Sequence, residues 1–268
     1  MKNLRSCFIA FILFFLAAAP AFGATSAGMG AKATGINVNG LDGLFVATSG
    51  HTLEAQTFVL GAGFFYGSDD DFSTHALPIT LTYGVVDNIE VGLSVAVISG
   101  VDPDGPGSES GVGDIGISGK YSFLEESDSV PGVAAGIRVK IPSADDSEGL
   151  GTGEFDLGLL LAASKKIGRT EYMLNVEYAL IGGDNPDRPN EVNYALGARM
   201  SYTDTVSFTL ELIDQNFVLS NFFAGDHLVT GAEVELMPGF MAAGNFGVAM
   251  TGGPVTDFVF GAKISYAF

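Results

Sequence analysis

Side chains able to act as nucleophile, base or metal ligand are sparse here: 3 histidines and 1 cysteine, against 31 aspartates and glutamates. Ester or amide hydrolysis would need a serine–histidine pair steadied by a third group. His75 has Ser73 close by and His227 stands beside Asp226, but nothing brings a serine and an acid together onto His51, His75 or His227. No catalytic residue is assigned, and a lipid-modifying hydrolase is the remotest reading. "GVGDIG" (Gly111, Gly113, Gly116) matches the dinucleotide fingerprint letter for letter. That motif works only where a strand turns into a helix, and the "ISGKYSF" that follows alternates like a strand. "GLGTGE" lacks the Gly-Lys-Ser/Thr ending of a phosphate loop. The clusters Asp69–Asp71, Asp102/Asp104 and Asp145/Asp146/Glu148 offer the carboxylates that hard cations prefer. Their spacing fits no calcium loop, so they read as solvated loops, with weak divalent bridging to lipopolysaccharide phosphates as the alternative. No cofactor and no metal site is expected.

What remains is a set of isolated charges, and their placement is regular. In "RTEYMLNVEYAL", Tyr172, Leu174, Val176, Tyr178 and Leu180 take one face, while Glu171, Met173, Asn175, Glu177 and Ala179 take the other. "NEVNYALGARMSY" sets Val192, Tyr194, Leu196, Ala198, Met200 and Tyr202 against a row holding Arg199. "PGVAAGIRVKIP" opposes Val133, Ala135, Ile137, Val139 and Ile141 to Arg138 and Lys140. Extended in this way, the polar rows carry Glu90, Asp114, Lys120, Arg138, Lys140, Asp156, Glu177, Arg199, Glu211, Glu233, Glu235 and Lys263. Toward lipid, a cation at midplane would cost about 2–4 kcal/mol. Turned into a lumen, opposite charges on neighbouring strands pair. Two roles follow: a salt-bridge lattice that stiffens or plugs the barrel, and a charged constriction that filters solutes. The candidate lumen and selectivity residues are therefore Asp114, Lys120, Arg138, Lys140, Asp156, Glu177, Arg199, Glu211, Glu233 and Lys263.

The elements that must carry these charges are strands. Twelve alternating segments can be marked, near 54–66, 75–85, 88–98, 112–123, 131–141, 154–166, 169–181, 191–202, 205–217, 227–237, 239–250 and 255–268. Their connections alternate as well. Short links ("VVDN", "KIGR", "YTDT", "MPGF" and the slightly longer "LEESDSV") interleave with long, acidic, Gly/Pro-rich ones such as "SGVDPDGPGSESG" and "PSADDSEGLGTG". An outer-membrane barrel has this asymmetry, with short turns toward the periplasm and long loops outside. A soluble sandwich or lipocalin-like barrel has no need of it, and its solvated face would carry more Lys and Glu. The fold class expected is all-β: an antiparallel transmembrane β-barrel of about twelve strands. There is no tryptophan, so Tyr and Phe near strand ends must form the interfacial girdles. The last strand alternates to the final residue, and Phe268, Tyr266 and Ile264 resemble the C-terminal signal read by the barrel assembly machinery.

The first residues fix the compartment. Lys2 and Arg5 precede the apolar "CFIAFILFFLAAAPAF", and "AFGA" offers small residues for cleavage after Gly23, the pattern of a secretory signal peptide. Residues 1–23 are read as that signal, 24–53 as an N-terminal arm, periplasmic or lumen-entering, and 54–268 as the barrel. Within the arm, "GLFVATSG" could form an extra short strand. Cys7 leaves with the signal, so the mature chain has no disulfide. Removing Lys2 and Arg5 also takes the net charge from −19 to −21. Mean hydropathy is nevertheless positive, because the apolar residues are dispersed and alternating. So acidic a chain would be repelled by nucleic-acid phosphates, and no nucleic acid is expected as a partner.

"GVGDIGISGKYSF", "PGVAAGIRVKIPS", "GLGTGEFDLGLLLAASK" and "LNVEYALIGG", in that order and spacing, resemble the outer-membrane transporter family associated with the meta-pathway of phenol degradation. The resemblance runs from about residue 75 to 268. It implies a channel admitting small compounds, aromatic or hydrophobic ones among them, with Asp114, Lys120 and Asp156 at lumen positions. The function expected is passive uptake of a small-molecule solute through the outer membrane of a Gram-negative-type bacterium, in contact with its lipid and lipopolysaccharide. The alternatives are a structural or adhesive barrel without transport and an outer-membrane lipid-modifying enzyme.

Overall fold

The computed structural model describes residues 35–68, 73–101, 110–183, 189–214, 226–250 and 257–268. The signal segment and the acidic stretches Asp69–Asp71 and Asp102/Asp104 lie outside them.

Strands form where the alternation predicts: β1 (Phe58–Ser68), β2 (Ser73–Val86), β3 (Ile89–Val101), β4 (Ser110–Val112), β5 (Ile115–Leu124), β6 (Gly132–Ile141) and β7 (Asp156–Ile167). The series continues with β8 (Thr170–Leu180), β9 (Glu191–Ser201), β10 (Val206–Asp214), β11 (Asp226–Met237), β12 (Phe240–Ala249) and β13 (Phe258–Ala267). β4 and β5 both pair with β3 and are two pieces of one crossing, so the sheet is a closed antiparallel barrel of twelve strands. Between Val97↔Val112 and Ser94↔Gly116 the β4–β5 side holds one residue more than β3 does. This bulge carries Asp114, and bulges re-aim side chains.

Every neighbour in the sheet is the next strand in sequence, and closure comes from β1 on β13. Their register runs from Val59↔Ala267 to Ser68↔Phe258. Phe58 N donates to Phe268 O at 3.0 Å and Phe268 N donates back to Phe58 O at 2.9 Å. The rings of Phe58 and Phe268 stack at 5.8 Å and those of Tyr266 and Phe268 at 6.1 Å. The first strand starts at Phe58 rather than near 54, because Leu53 to Thr57 form the turn that lifts the chain out of the lumen and onto the rim. Closure satisfies every strand edge, the condition for backbone to lie in hydrocarbon.

The two faces separate as the alternation requires. Outside, Tyr172, Leu174, Val176 and Tyr178 of β8 meet Ala198, Leu196, Tyr194 and Val192 of β9. Large side chains there, such as Ile137, Leu161 and Phe260, stay about half exposed, as a lipid-contacting band must. His75 belongs to this outer face, its ring against Tyr66 at 5.0 Å and Phe64 at 6.0 Å. Inside, opposite charges face each other across the ladder: Glu90↔Lys120, Glu171↔Arg199 and Lys140↔Asp156.

Candidate functional site

The lumen holds a piece of the chain itself. Residues 35–53, "GINVNGLDGLFVATSGHTL", have no repeating period, so they make neither a wall strand nor a helix. Their apolar side chains (Ile36, Val38, Leu41, Leu44, Phe45, Val46) are all 5% exposed or less. The "GLFVATSG" segment forms no strand. It contributes only the isolated bridge Gly43↔Thr48, beside a second at Ile36↔Asp42.

The segment first holds its own shape. Asn37 Oδ1 accepts from the N–H groups of Asn39 and Leu41, both at 3.0 Å, and Asn37 Nδ2 donates to Thr48 Oγ1 at 2.9 Å. One asparagine thus fixes both limbs of a folded loop. Phe45 then inserts edge-on against Phe65 of β1 at 4.8 Å. Around it the wall supplies Ala76, Ala96, Met173, Ala195, Ile213, Val229 and Val259, forming one apolar cluster inside the barrel.

The candidate charges of the wall grip this segment. Glu90 and Lys120, both with fully buried side chains, pair at 3.3 Å. Glu90 also accepts from Asp42 N and Leu53 N, each at 2.8 Å, and Lys120 donates to Ser49 O at 3.0 Å. Glu211 takes three successive N–H groups: Phe45 at 2.9 Å, Val46 at 3.0 Å and Ala47 at 2.8 Å. Arg199 bonds Glu233 at 2.8 Å, Glu171 at 3.1 Å and Gly43 O at 2.8 Å. Lys263 donates to Ile36 O at 3.0 Å and Leu44 O at 2.7 Å, with Glu233 at 3.9 Å. Arg138 pairs with Glu177 at 3.1 Å and donates to Thr48 Oγ1 at 3.0 Å.

The remaining candidates sit apart, toward the long-loop end. Lys140 Nζ lies 2.5 Å from Asp156 and 3.6 Å from Asp114, and it bonds Thr152 Oγ1. Asp114, turned inward by the bulge, accepts from Ser143 N at 3.0 Å and Ala144 N at 3.1 Å. These bonds tie the loop after β6 across the mouth, and the space left beside Arg138, Lys140 and Asn39 is only about 40 Å³.

At the short-turn end a wider vestibule of about 380 Å³ opens beneath the inner segment, lined among others by Asp42, His51, Glu126, Lys166, Arg169, Glu171, Arg199 and Glu235. Here His51 Nε2 meets Glu126 at 3.0 Å. Burial pushes the Glu126 carboxyl up, but the Lys166 N–H, the Lys165 ammonium and His51 outweigh it and hold the group below its ordinary value. At the opposite mouth the Ser147 hydroxyl and N–H hold the exposed Asp145 carboxyl low, and among the described residues no group of His, Cys, Asp and Glu is arranged to hold a metal.

All ten candidate charges therefore face the interior, but the simple pairing of opposite signs describes them incompletely. Glu211 answers peptide N–H groups, and Asn175, not among the candidates, is as closely engaged. Asn175 Oδ1 accepts from Thr48 N at 2.6 Å and its Nδ2 donates to Thr48 O at 2.8 Å. The missed signal lies in the glycines of the inward row. A Cβ on Gly92 would stand 2.0 Å from Gly40 O, and one on Gly50 would stand 2.4 Å from Gly132 O. Those glycines are where wall and inner main chain touch.

The family described as "Putative MetA-pathway of phenol degradation" matches residues 42–268. The barrel is similar to the COG4313 outer membrane channel from Pseudomonas putida F1, with a TM-score of 0.62 at 16% identity over 81% of this chain and 97% of that one. It is also similar to the KdgM porin solved in complex with disordered oligogalacturonate, with a TM-score of 0.51 at 9% identity over 79% of this chain and 99% of that one. No curated protein matches the sequence.

Proposed function

The chain belongs to the phenol-degradation MetA-pathway family, and on that premise we propose that it is a passive outer-membrane channel for small molecules, held shut by residues 35–53. The observation that carries this reading is what fills the lumen. In an eight-stranded barrel the wall's own side chains fill the interior. Here a separable stretch of chain does so, seated against polar side chains that water could solvate once it left. Both described ends of that stretch, Gly35 beside Arg199 and Glu233 and Leu53 beside Glu90, lie toward the short-turn vestibule. The segment can therefore withdraw toward one side without being threaded.

The solute class follows from the lining. Phe65, Ile213, Val229 and Val259 offer an apolar ring in the interior, which suits a small aromatic or hydrophobic compound, in keeping with the family's name. Lys140, Asp114 and Asp156 form a second, charged filter at the loop end. Phe268, Tyr266 and Ile264 on the rim strand serve as the signal for the barrel assembly machinery, and deleting Phe268 should lower outer-membrane insertion while leaving export intact.

The test is conductance and solute uptake in planar bilayers and liposomes. Phe45→Glu sets a carboxylate against Phe65 in the apolar cluster, and Gly92→Val pushes against Gly40 from the wall. Both should raise conductance at least tenfold over the parent, with strand content unchanged by circular dichroism. Two folded, non-conducting variants would favour the structural barrel instead. Competition of uptake by phenolics but not by nucleosides would fix the solute class.

A further inference from the structure

We infer that the lumen seat recognises its occupant chiefly through peptide main chain, beside the apolar side chains it buries, so that a peptide of matching glycine and apolar pattern supplied from outside the chain can occupy it and close the channel. The inference rests on residues 35–53 being a displaceable occupant, and it names the chemistry of what replaces them.

The bonds that hold the segment go overwhelmingly to its backbone. Glu211 binds three consecutive N–H groups and Asn175 takes both the N–H and the C=O of one residue, which is the pattern of a β-bridge built from a side chain. Lys263 reaches two carbonyls, Lys120 and Arg199 one each, and Glu90 two N–H groups. A run of N–H groups is an established form of carboxylate cradle. Here the roles are exchanged: the wall supplies the carboxylate and the occupant supplies the cradle.

Only an amide chain repeats donors and acceptors at this spacing. A small phenolic compound offers Glu211 one donor where the segment offers three, and water must meet the rest, so it is held less firmly than the segment. Solute and occupant are thereby distinguished, since one passes and the other stays. Close approach adds two demands on the incoming chain, which are glycine at the places of Gly35, Gly40, Gly43 and Gly50 and apolar residues where the segment buries them. The native segment competes as a tethered ligand with an effective concentration on the order of millimolar, so an external peptide is best read where the tethered one has been unseated.

The experiment uses the full-length Phe45→Glu variant, with Val46→Asp as a second in case the first does not fold. Three synthetic peptides are applied at about 1 mM, the scale set by tethering. One has the sequence of residues 35–50. Another keeps the glycines and the apolar residues in place and permutes only Asn37, Asn39, Asp42, Thr48 and Ser49. The last is the native sequence N-methylated at the amides of Phe45, Val46 and Ala47. The native and permuted peptides should each cut conductance by more than half, and N-methylation should weaken the block about tenfold. Block by the native peptide alone, or equal block by the N-methylated one, would overturn the inference in favour of side-chain recognition. If the folded variants do not conduct, the channel reading fails separately, and fluorescence polarisation of labelled peptides on the same variants decides main-chain recognition by the same comparison. No binding by any peptide would end it.

Discussion

Two carboxylates stand in the same lumen on different terms. Glu90, near the short-turn end, has Lys120 of the neighbouring strand opposite it and also holds two N–H groups of the inner segment. Glu211, across the barrel, takes three hydrogen bonds from that segment, and the wall's Lys263 acts on it only through space. Glu90 therefore belongs to the wall whether or not the segment is present. Glu211 depends on the segment for its three N–H hydrogen bonds. In the proposed gating, the region around Glu90 would serve as the hinge and the region around Glu211 as the latch.

The sharpest way to break this distinction is Lys120→Met. It strands Glu90 as a buried charge and should cost roughly 3–5 kcal/mol of barrel stability, measured by urea unfolding in liposomes. Glu211→Gln should do less to the wall and more to the segment. An amide oxygen cannot serve three N–H groups, and a loss of roughly 2 kcal/mol in seating means about 30-fold faster labelling of a Thr48→Cys reporter. If Lys120→Met and Glu211→Gln destabilise the wall equally, the two regions are not distinct. Asn175→Ala removes one neutral donor and one neutral acceptor. It should cost about 1–2 kcal/mol, read as several-fold faster labelling of the same reporter.

The smallest effect is that of acid on Glu126. Its carboxyl is held low in the folded protein, so its contribution is present above the ordinary carboxylate value and is lost as pH falls through the lower folded one. The grip on His51 should thus persist at neutral pH and loosen only in strong acid. The chain has no tryptophan, so a Glu54→Trp reporter at the rim would show the change in isolation. A transition above the ordinary carboxylate range would count against Glu126 as its source.

The wall was largely legible in the sequence, and the reason is periodicity. A strand between lipid and lumen must alternate, so Tyr172 to Leu180 declare their outer face and Glu171 to Ala179 their inner one. The short-and-long alternation of links gave the ends of the barrel, and the last strand ran to the final residue because Phe268 pairs with Phe58. The contents of the lumen were not legible. Residues 35–53 carry no repeat, and their partners come from β1 through β13. Nothing in the sequence sets Gly92 and Gly132, which mark close approach of main chain, apart from the other glycines. Glu211 looked like half of an ion pair because a single sequence cannot show that its counterpart is a row of peptide N–H groups.

The inner segment also carries a consequence for how the molecule comes into being. Ile36 is among the earliest residues described, yet its carbonyl waits for Lys263, 227 positions later. Contacts so distant form late, since the intervening chain must be ordered first. The segment cannot take its full set of bonds until the closing strand has arrived. An incomplete barrel, lacking Lys263, would keep these residues outside and open to proteases, whereas a finished one draws them in. Seating of the segment is thus a built-in report that the circle of strands is complete.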